Sequence, residues 1–338
     1  MSQPLLQVAG LRIEFGAGER AVAAVRDVSF AMEPGEMVGL VGESGCGKSL
    51  TCRAAIRLLP HGAQIAAGTV LFEGRDVTAM GARELRQLRS REVGMIFQDP
   101  FTSLNPVFRV GAQVAETLRV NLGLTGAQAE RETIRVLAEA GISEPERWRR
   151  AFPHELSGGM RQRVMIALAL SSKPKLLIAD EPTTALDVTT QAQILKLLRR
   201  FREEHGVAVL LVSHDFGVIA ETCDRVLVMY GGHVLETADI EAAYKTPQHP
   251  YTQALLASIP LLQSAGHPRR RKAIGGRPPE PGEELPGCIF EPRCSYAREA
   301  CTQIDMKLEP VGANQHTACP FVRAGGEQPL QSMAGGLR

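Results

Sequence analysis

At 338 residues, with 44% hydrophobic and 22% charged side chains, the chain has the composition of a folded globular protein and not of a disordered or fibrous one. Its formal net charge of +1 gives no electrostatic case for nucleic acid as a partner. No run approaches the roughly 20 apolar residues that span a bilayer, and the start of the chain lacks the pattern of a secretory signal; a cytosolic chain is expected, reaching a membrane only through a partner.

Short apolar runs bounded by Gly, Pro or charge predict strands at 6–15, 24–30, 37–41, 69–72 and 93–98. Helical spacing takes over from about 110 to 170, with 131–140 rich in helix formers, so a helical insertion interrupts the sheet. Strand-like runs return at 175–179, 207–212 and 225–229, around a helical stretch at 190–205. Strand alternating with helix implies an α/β fold with a largely parallel sheet. After Pro260 the composition shifts to Pro, Gly and the basic run Arg269, Arg270, Arg271 and Lys272. That stretch reads as a solvated linker, with contact to acidic lipid head groups as the alternative.

The chemistry-bearing residues fall in order along these elements. Gly42, Glu43, Ser44, Gly45, Cys46, Gly47, Lys48 and Ser49, with Leu50 following, satisfy G-x-x-x-x-G-K-[ST] between a strand and a helix. Glycines there let successive backbone N–H groups curl around phosphates, while Lys48 reaches the β- and γ-phosphates and the Ser49 hydroxyl meets Mg²⁺. The apolar run 176–179 ends in Asp180 and Glu181. Asp180 suits a magnesium shell and Glu181 the role of general base.

Leu156, Ser157, Gly158, Gly159, Met160, Arg161, Gln162 resembles the signature of ABC ATPases. The resemblance implies a P-loop NTPase fold with a RecA-like sheet core, an inserted helical subdomain at about 100–170 and ATP with Mg²⁺ as cofactors. It implies that Ser157, Gly158 and Gly159 of one chain cover the γ-phosphate held by another. It also gives Gln98 to the Q-loop that senses magnesium and the membrane subunit, Asp187 to the D-loop, and His214 to the switch that contacts the γ-phosphate and orients Glu181. Phe15 is either the aromatic that stacks on adenine or a core residue.

Only about a hundred residues separate Ser49 from Leu156, too few for the coiled-coil insertion of repair and chromosome ATPases, and the single phosphate loop is unlike the paired modules of translation factors. A transporter ATPase is the reading left. Three stretches are similar to the oligopeptide/dipeptide importers: Gln98 to Pro106, Thr246 to Thr252, and the four cysteines Cys288, Cys294, Cys301 and Cys319. The implied partners are two permease subunits docked near Gln98 and Glu155, indirectly a peptide-binding protein, and a second ATPase on the cytoplasmic face of the bacterial inner membrane. Residues 160–170 look more like the first of the paired ATPases, so a distinct partner is expected, with a homodimer as the alternative. The same machine carrying nickel, sugars or peptide-like antibiotics is a rival, and a soluble ABC regulator a more distant one. The implied domains are 1–260, which binds nucleotide, and 261–338, a cysteine-rich extension.

The cysteine spacing C-x5-C-x6-C-x17-C lacks the short steps common at structural zinc sites. A [4Fe–4S] cluster, which the resemblance implies, and zinc are the two candidates. Pro286, Gly287, Pro292 and Pro320 surround the cysteines in a segment poor in apolar residues, so metal is expected to supply much of its folding energy. Cys46 stands where the family usually has Ser and is expected to make the site sensitive to thiol reagents.

Overall fold

The computed structural model describes residues 3–99, 103–184, 186–259 and 274–319. Pro100, Phe101 and Thr102 of the Q-loop stretch, Ala185, the basic run 269–272 and Pro320 lie outside the described residues. In chain order the strands are β1 (Leu6–Phe15), β2 (Val22–Met32), β3 (Met37–Val41), β4 (Ala63–Phe72), β5 (Arg75–Asp76), β6 (Val93–Ile96), β7 (Leu176–Asp180), β8 (Ala208–Ser213), β9 (Arg225–Tyr230), β10 (His233–Asp239), β11 (Glu309–Gly312) and β12 (Gln315–Thr317). By internal contacts the chain divides into two compact units, one made of Met1–Leu6, Met32–Met37 and Phe72–Val212, the other of Gln7–Ala31, Val38–Leu71 and Ser213–Arg338.

In the first unit β6, β7 and β8 run parallel, in the registers Val93↔Leu176 to Ile96↔Ala179 and Leu176↔Ala208 to Asp180↔Val212. Every residue of β7 and β8 is buried, which is why both read as unbroken apolar runs and not as alternation. The helical insertion is a set of capped helices. Val110–Leu122 buries Val110, Val114 and Leu118 at steps of four and stops at Gly123, whose φ is 70°. Gly126–Glu139 starts on Thr125, whose backbone N–H meets Gln128 in a capping box, and packs Ala129, Thr133, Val136 and Leu137 inward. Gly158–Leu170 and Val188–His205 complete the unit's long helices.

In the second unit β1 lies between β2 and β4. A second group starts with β3 parallel to β9, turns at Gly231 and Gly232 into β10, and continues antiparallel through β12 to β11. The parallel strands expected from the sequence are therefore present, with an antiparallel rim that β10 begins and the tail strands β12 and β11 extend.

The differences from the sequence expectation have local causes. The strand expected over 93–98 ends at Ile96, the last residue of β6 with a partner in β7. β4 extends back to Ala63 because its first half is small and exposed, leaving no apolar alternation to read. β10 was not expected: its buried centre includes Glu236, a residue type depleted in strands. The tail also makes strand and core contacts of its own. β12 pairs with β10 through Glu236↔Thr317 and Thr237↔His316, and Ile289, Phe290 and Ala318 are fully packed.

Candidate functional site

The phosphate loop follows β3 and leads into the helix Lys48–Ala54. Gly47 takes φ 101°, the left-handed region that glycine tolerates. A Cβ on Gly42 would sit 2.0 Å from the Met229 carbonyl oxygen, so only glycine lets the loop pass there. Lys48 is buried, and its Nζ donates to the carbonyl oxygens of Gly42 (2.8 Å) and Glu43 (2.9 Å). Ser44 and Gly45 are exposed at the crown, while Ser49 and Leu50 are half-buried. Cys46 corrects the expectation of thiol sensitivity. Its side chain is 4% exposed, and burial raises the thiol pKa despite the neighbouring Lys48 ammonium. Phe15 is half-buried at the end of β1.

In the first unit Asp180 closes β7 and is fully buried. Glu181 follows with φ 48°, a conformation few residues other than glycine adopt. Its N–H donates to the Val212 carbonyl (3.2 Å), which ties this bend to the end of β8. The Glu181 Oε2 accepts from the Gln98 amide at 3.2 Å and from the Thr184 hydroxyl at 2.8 Å. Three of the residues singled out in the sequence, Gln98, Asp180 and Glu181, are thus brought together, and Thr184 joins them.

Ser157 caps the helix Gly158–Leu170, its Oγ accepting from the Met160 N–H at 3.3 Å. Asp187 caps Val188–His205 in the same way, accepting from the Thr190 N–H at 2.9 Å and the Thr190 hydroxyl at 2.8 Å. Those bonds favour its ionised form and hold its carboxyl below the usual range. The two helix starts meet closely: a Cβ on Gly159 would come within 2.8 Å of the Thr190 methyl carbon. Glu155 is exposed and folds back to accept from the Phe152 N–H at 2.6 Å. His214 directly follows β8 and is exposed.

The tail holds what sequence reasoning missed. Arg293, between two of the four cysteines, forms a two-pronged ion pair with Glu43 of the phosphate loop. Neither its spacing nor its residue type distinguished it from the chain's other arginines. The Tyr251 hydroxyl accepts from the Glu43 N–H at 3.0 Å. Cys288, Cys301 and Cys319 are buried and Cys294 is half-buried, and none of the four is in a disulfide. Burial foremost, with charge on the neighbouring cysteines adding to it, pushes the Cys288 thiol up to about 12 and the Cys294 thiol to about 11. Thiolates are the soft donors that zinc and iron–sulfur clusters take, but among the described residues no group of three or more His, Cys, Asp or Glu is arranged to hold a metal ion.

A phosphate loop entering a helix, and a buried parallel strand closed by paired carboxylates, define an ATP-hydrolysing P-loop protein. A family model described as ABC transporter matches residues 25–184, and one described as oligopeptide/dipeptide transporter, C-terminal region, matches 235–301. The "Probable peptide ABC transporter ATP-binding protein y4tR" of Sinorhizobium fredii is 44% identical over 93% of this chain and 94% of its own. The oligopeptide transport ATP-binding protein OppD of Mycobacterium bovis is 44% identical over 94% of this chain and 52% of its own. A dimeric ATP-binding cassette, MJ0796, solved with ADP and phosphate, superposes with a TM-score of 0.63 at 28% identity, covering 70% of this chain and 98% of that one. The chain belongs to the ATP-binding subunits of ABC transporters, in the branch that carries the oligopeptide/dipeptide C-terminal region.

Proposed function

We propose that the chain is the ATP-hydrolysing subunit that powers import of oligopeptides or dipeptides through a membrane ABC transporter. The observation that carries this reading is the Glu181 carboxylate, next to Asp180 and fixed by Gln98 and Thr184 in a strained turn, a backbone commonly kept where a side chain must be aimed. Lys48 leaves the loop carbonyls to offset γ-phosphate charge, and Glu181 orients the attacking water and takes its proton. His214 contacts the γ-phosphate, and Phe15 stacks on the adenine. The Ser49 hydroxyl, the Gln98 amide oxygen and the Asp180 carboxylate are hard oxygen donors of the kind Mg²⁺ takes. When bound, that ion shields the phosphate charge.

A second ATPase chain presents its signature, equivalent to Ser157, Gly158 and Gly159 here, to the ATP held by this one, and Asp187 lies at the junction. Closure of the pair moves two permease subunits docked near Gln98 and Glu155, and hydrolysis reopens it. Among the described residues no helix is long and apolar enough to cross a membrane. Docking on the permeases places the chain at the cytoplasmic face of the inner membrane in this reading. A peptide-binding protein selects the solute. Residues 1–260 form the nucleotide-binding part and 261–338 the extension, in which Cys288, Cys294, Cys301 and Cys319 hold a [4Fe–4S] cluster, with zinc as the rival metal. Protein prepared without oxygen should be brown; one zinc per colourless chain would replace the cluster assignment.

Glu181→Gln tests the central role. In the assembled transporter it should lower ATP turnover at least about a hundredfold while leaving ATP bound. Hydrolysis near the parent rate would remove Glu181 from the mechanism. Mixing Lys48→Ala and Ser157→Arg chains restores an intact site only in a homodimer, so recovered activity would overturn the distinct partner.

A further inference from the structure

Glu43, the second residue of the phosphate loop, is a liability in an anion site. An unpaired carboxylate there would repel the phosphates the loop is built to hold. The structure answers with Arg293. Its guanidinium meets Glu43 through both oxygens, at 2.6 Å and 3.0 Å. Its remaining donors go to the Tyr230 hydroxyl (3.0 Å) and the Gly275 (2.7 Å) and Ile274 (3.4 Å) carbonyls. The Arg293 side chain is only 4% exposed and that of Glu43 25%, so water and salt screen the pair weakly. The planar fork fills each of these acceptors at once, which a lysine cannot do.

The tail is seated to bring that guanidinium there. Arg293 closes a short turn that begins at Phe290, its backbone N–H donating to the Phe290 carbonyl at 3.0 Å. Phe290 is buried edge-on against Tyr230, with ring centroids 5.3 Å apart, and lies 5.2 Å from the Tyr251 ring. Tyr251 in turn accepts the Glu43 N–H. Glu43 is therefore held by its side chain, its N–H and, through Lys48, its carbonyl.

We propose that Arg293 is a positioning residue for ATP: it neutralises Glu43 and fixes the phosphate loop, so that the C-terminal segment sets the nucleotide affinity of a loop some 250 residues away in sequence. The proposal rests on the reading that this loop binds ATP.

Equilibrium binding of Mg-ATP to the full chain tests it. Arg293→Met should weaken binding about tenfold, and Arg293→Lys by less. Combining Arg293→Met with Glu43→Gln should bring affinity back to within about threefold of the Glu43→Gln chain, because the charge to be neutralised is gone. A merely structural role would not be relieved by removing that charge. If Arg293→Met fails to fold, the Arg293→Lys chain with and without Glu43→Gln carries the same comparison. Unchanged binding in Arg293→Met, or a loss that persists in the Glu43→Gln background, overturns the proposal. Lys48→Ala separates the two levels: if it binds Mg-ATP as the parent does, the phosphate-loop reading falls and the proposal with it.

Discussion

In the phosphate-loop unit the anchors of the site are buried: Lys48 and Cys46 within the loop itself, and Tyr251 and the Arg293 side chain, which hold it from far away in sequence. In the other unit Ser157 and Asp187 are exposed, and each closes on a backbone N–H only three residues ahead. The difference teaches how each part is built to work. A loop that must wrap a ligand gains from being over-determined, since a preformed anion cradle needs no ordering when the ligand arrives. Helix starts offered to another molecule must stay accessible, so they are set by small local caps that leave the surface open.

The sharpest break in the comparison should come from Gly42→Ala. Its new methyl would collide with the Met229 carbonyl at 2.0 Å, and backbone cannot yield as a side chain can. Loss of measurable ATP binding is expected with the rest of the fold retained; ATP binding near the parent value would show the loop to be far more compliant than its packing implies.

Acid should separate the units next. Burial holds His249 neutral, down to about 3, and His233 to about 4. Their stabilising effect is fully present above about 6.5, where neither state takes a proton, and is lost as pH falls, because the unfolded chain gains protons the folded one refuses. For His249 the loss by pH 5 is about 2 kcal/mol. Glu236 beside it has its pKa raised by burial and acts in the opposite sense. Comparing unfolding midpoints of the parent and His249→Gln at pH 7.5 and 5 isolates the histidine: the variant should lose less, and equal losses would remove His249 from the account.

The smallest effect belongs to the exposed caps. Ser157→Ala removes one cap hydrogen bond and should cost about 1 kcal/mol of helix stability, leaving Mg-ATP binding to the isolated chain unchanged. Weaker binding in this variant would mean that the two units are not set up as differently as their burial implies.

Much of this was legible in the sequence because the signals were strong and local. β1 and β3 were expected at their observed ends, and the loop, the carboxylates and the Ser157 cap each follow from residue types at fixed short spacing. Arg293 was not legible, since an arginine after a proline in a loop carries no period, and its partner lies 250 residues away. Thr184 is similar: only the bend at Glu181, with φ 48°, turns its hydroxyl onto the carboxylate. β10 was hidden by Glu236, a buried acid that takes N–H groups from Gln248 (2.9 Å) and His249 (2.8 Å), a satisfaction no local pattern announces.

The pairing of β12 on β10 has a bearing on the solution behaviour of shortened forms. β11 is the outermost strand of that group, four residues long, with Pro310 and Gly312 both exposed. A strand so short, and lacking one backbone donor at its proline, is a poor template for another chain. Cutting the protein after residue 260 would remove β11 and β12 and bare the edge of β10 at Glu236 and Thr237, where β12 pairs with it. Such a fragment should aggregate through that open edge, and restoring solubility with a charged or proline substitution on the bared side of β10 would identify the tail as an edge guard for the sheet.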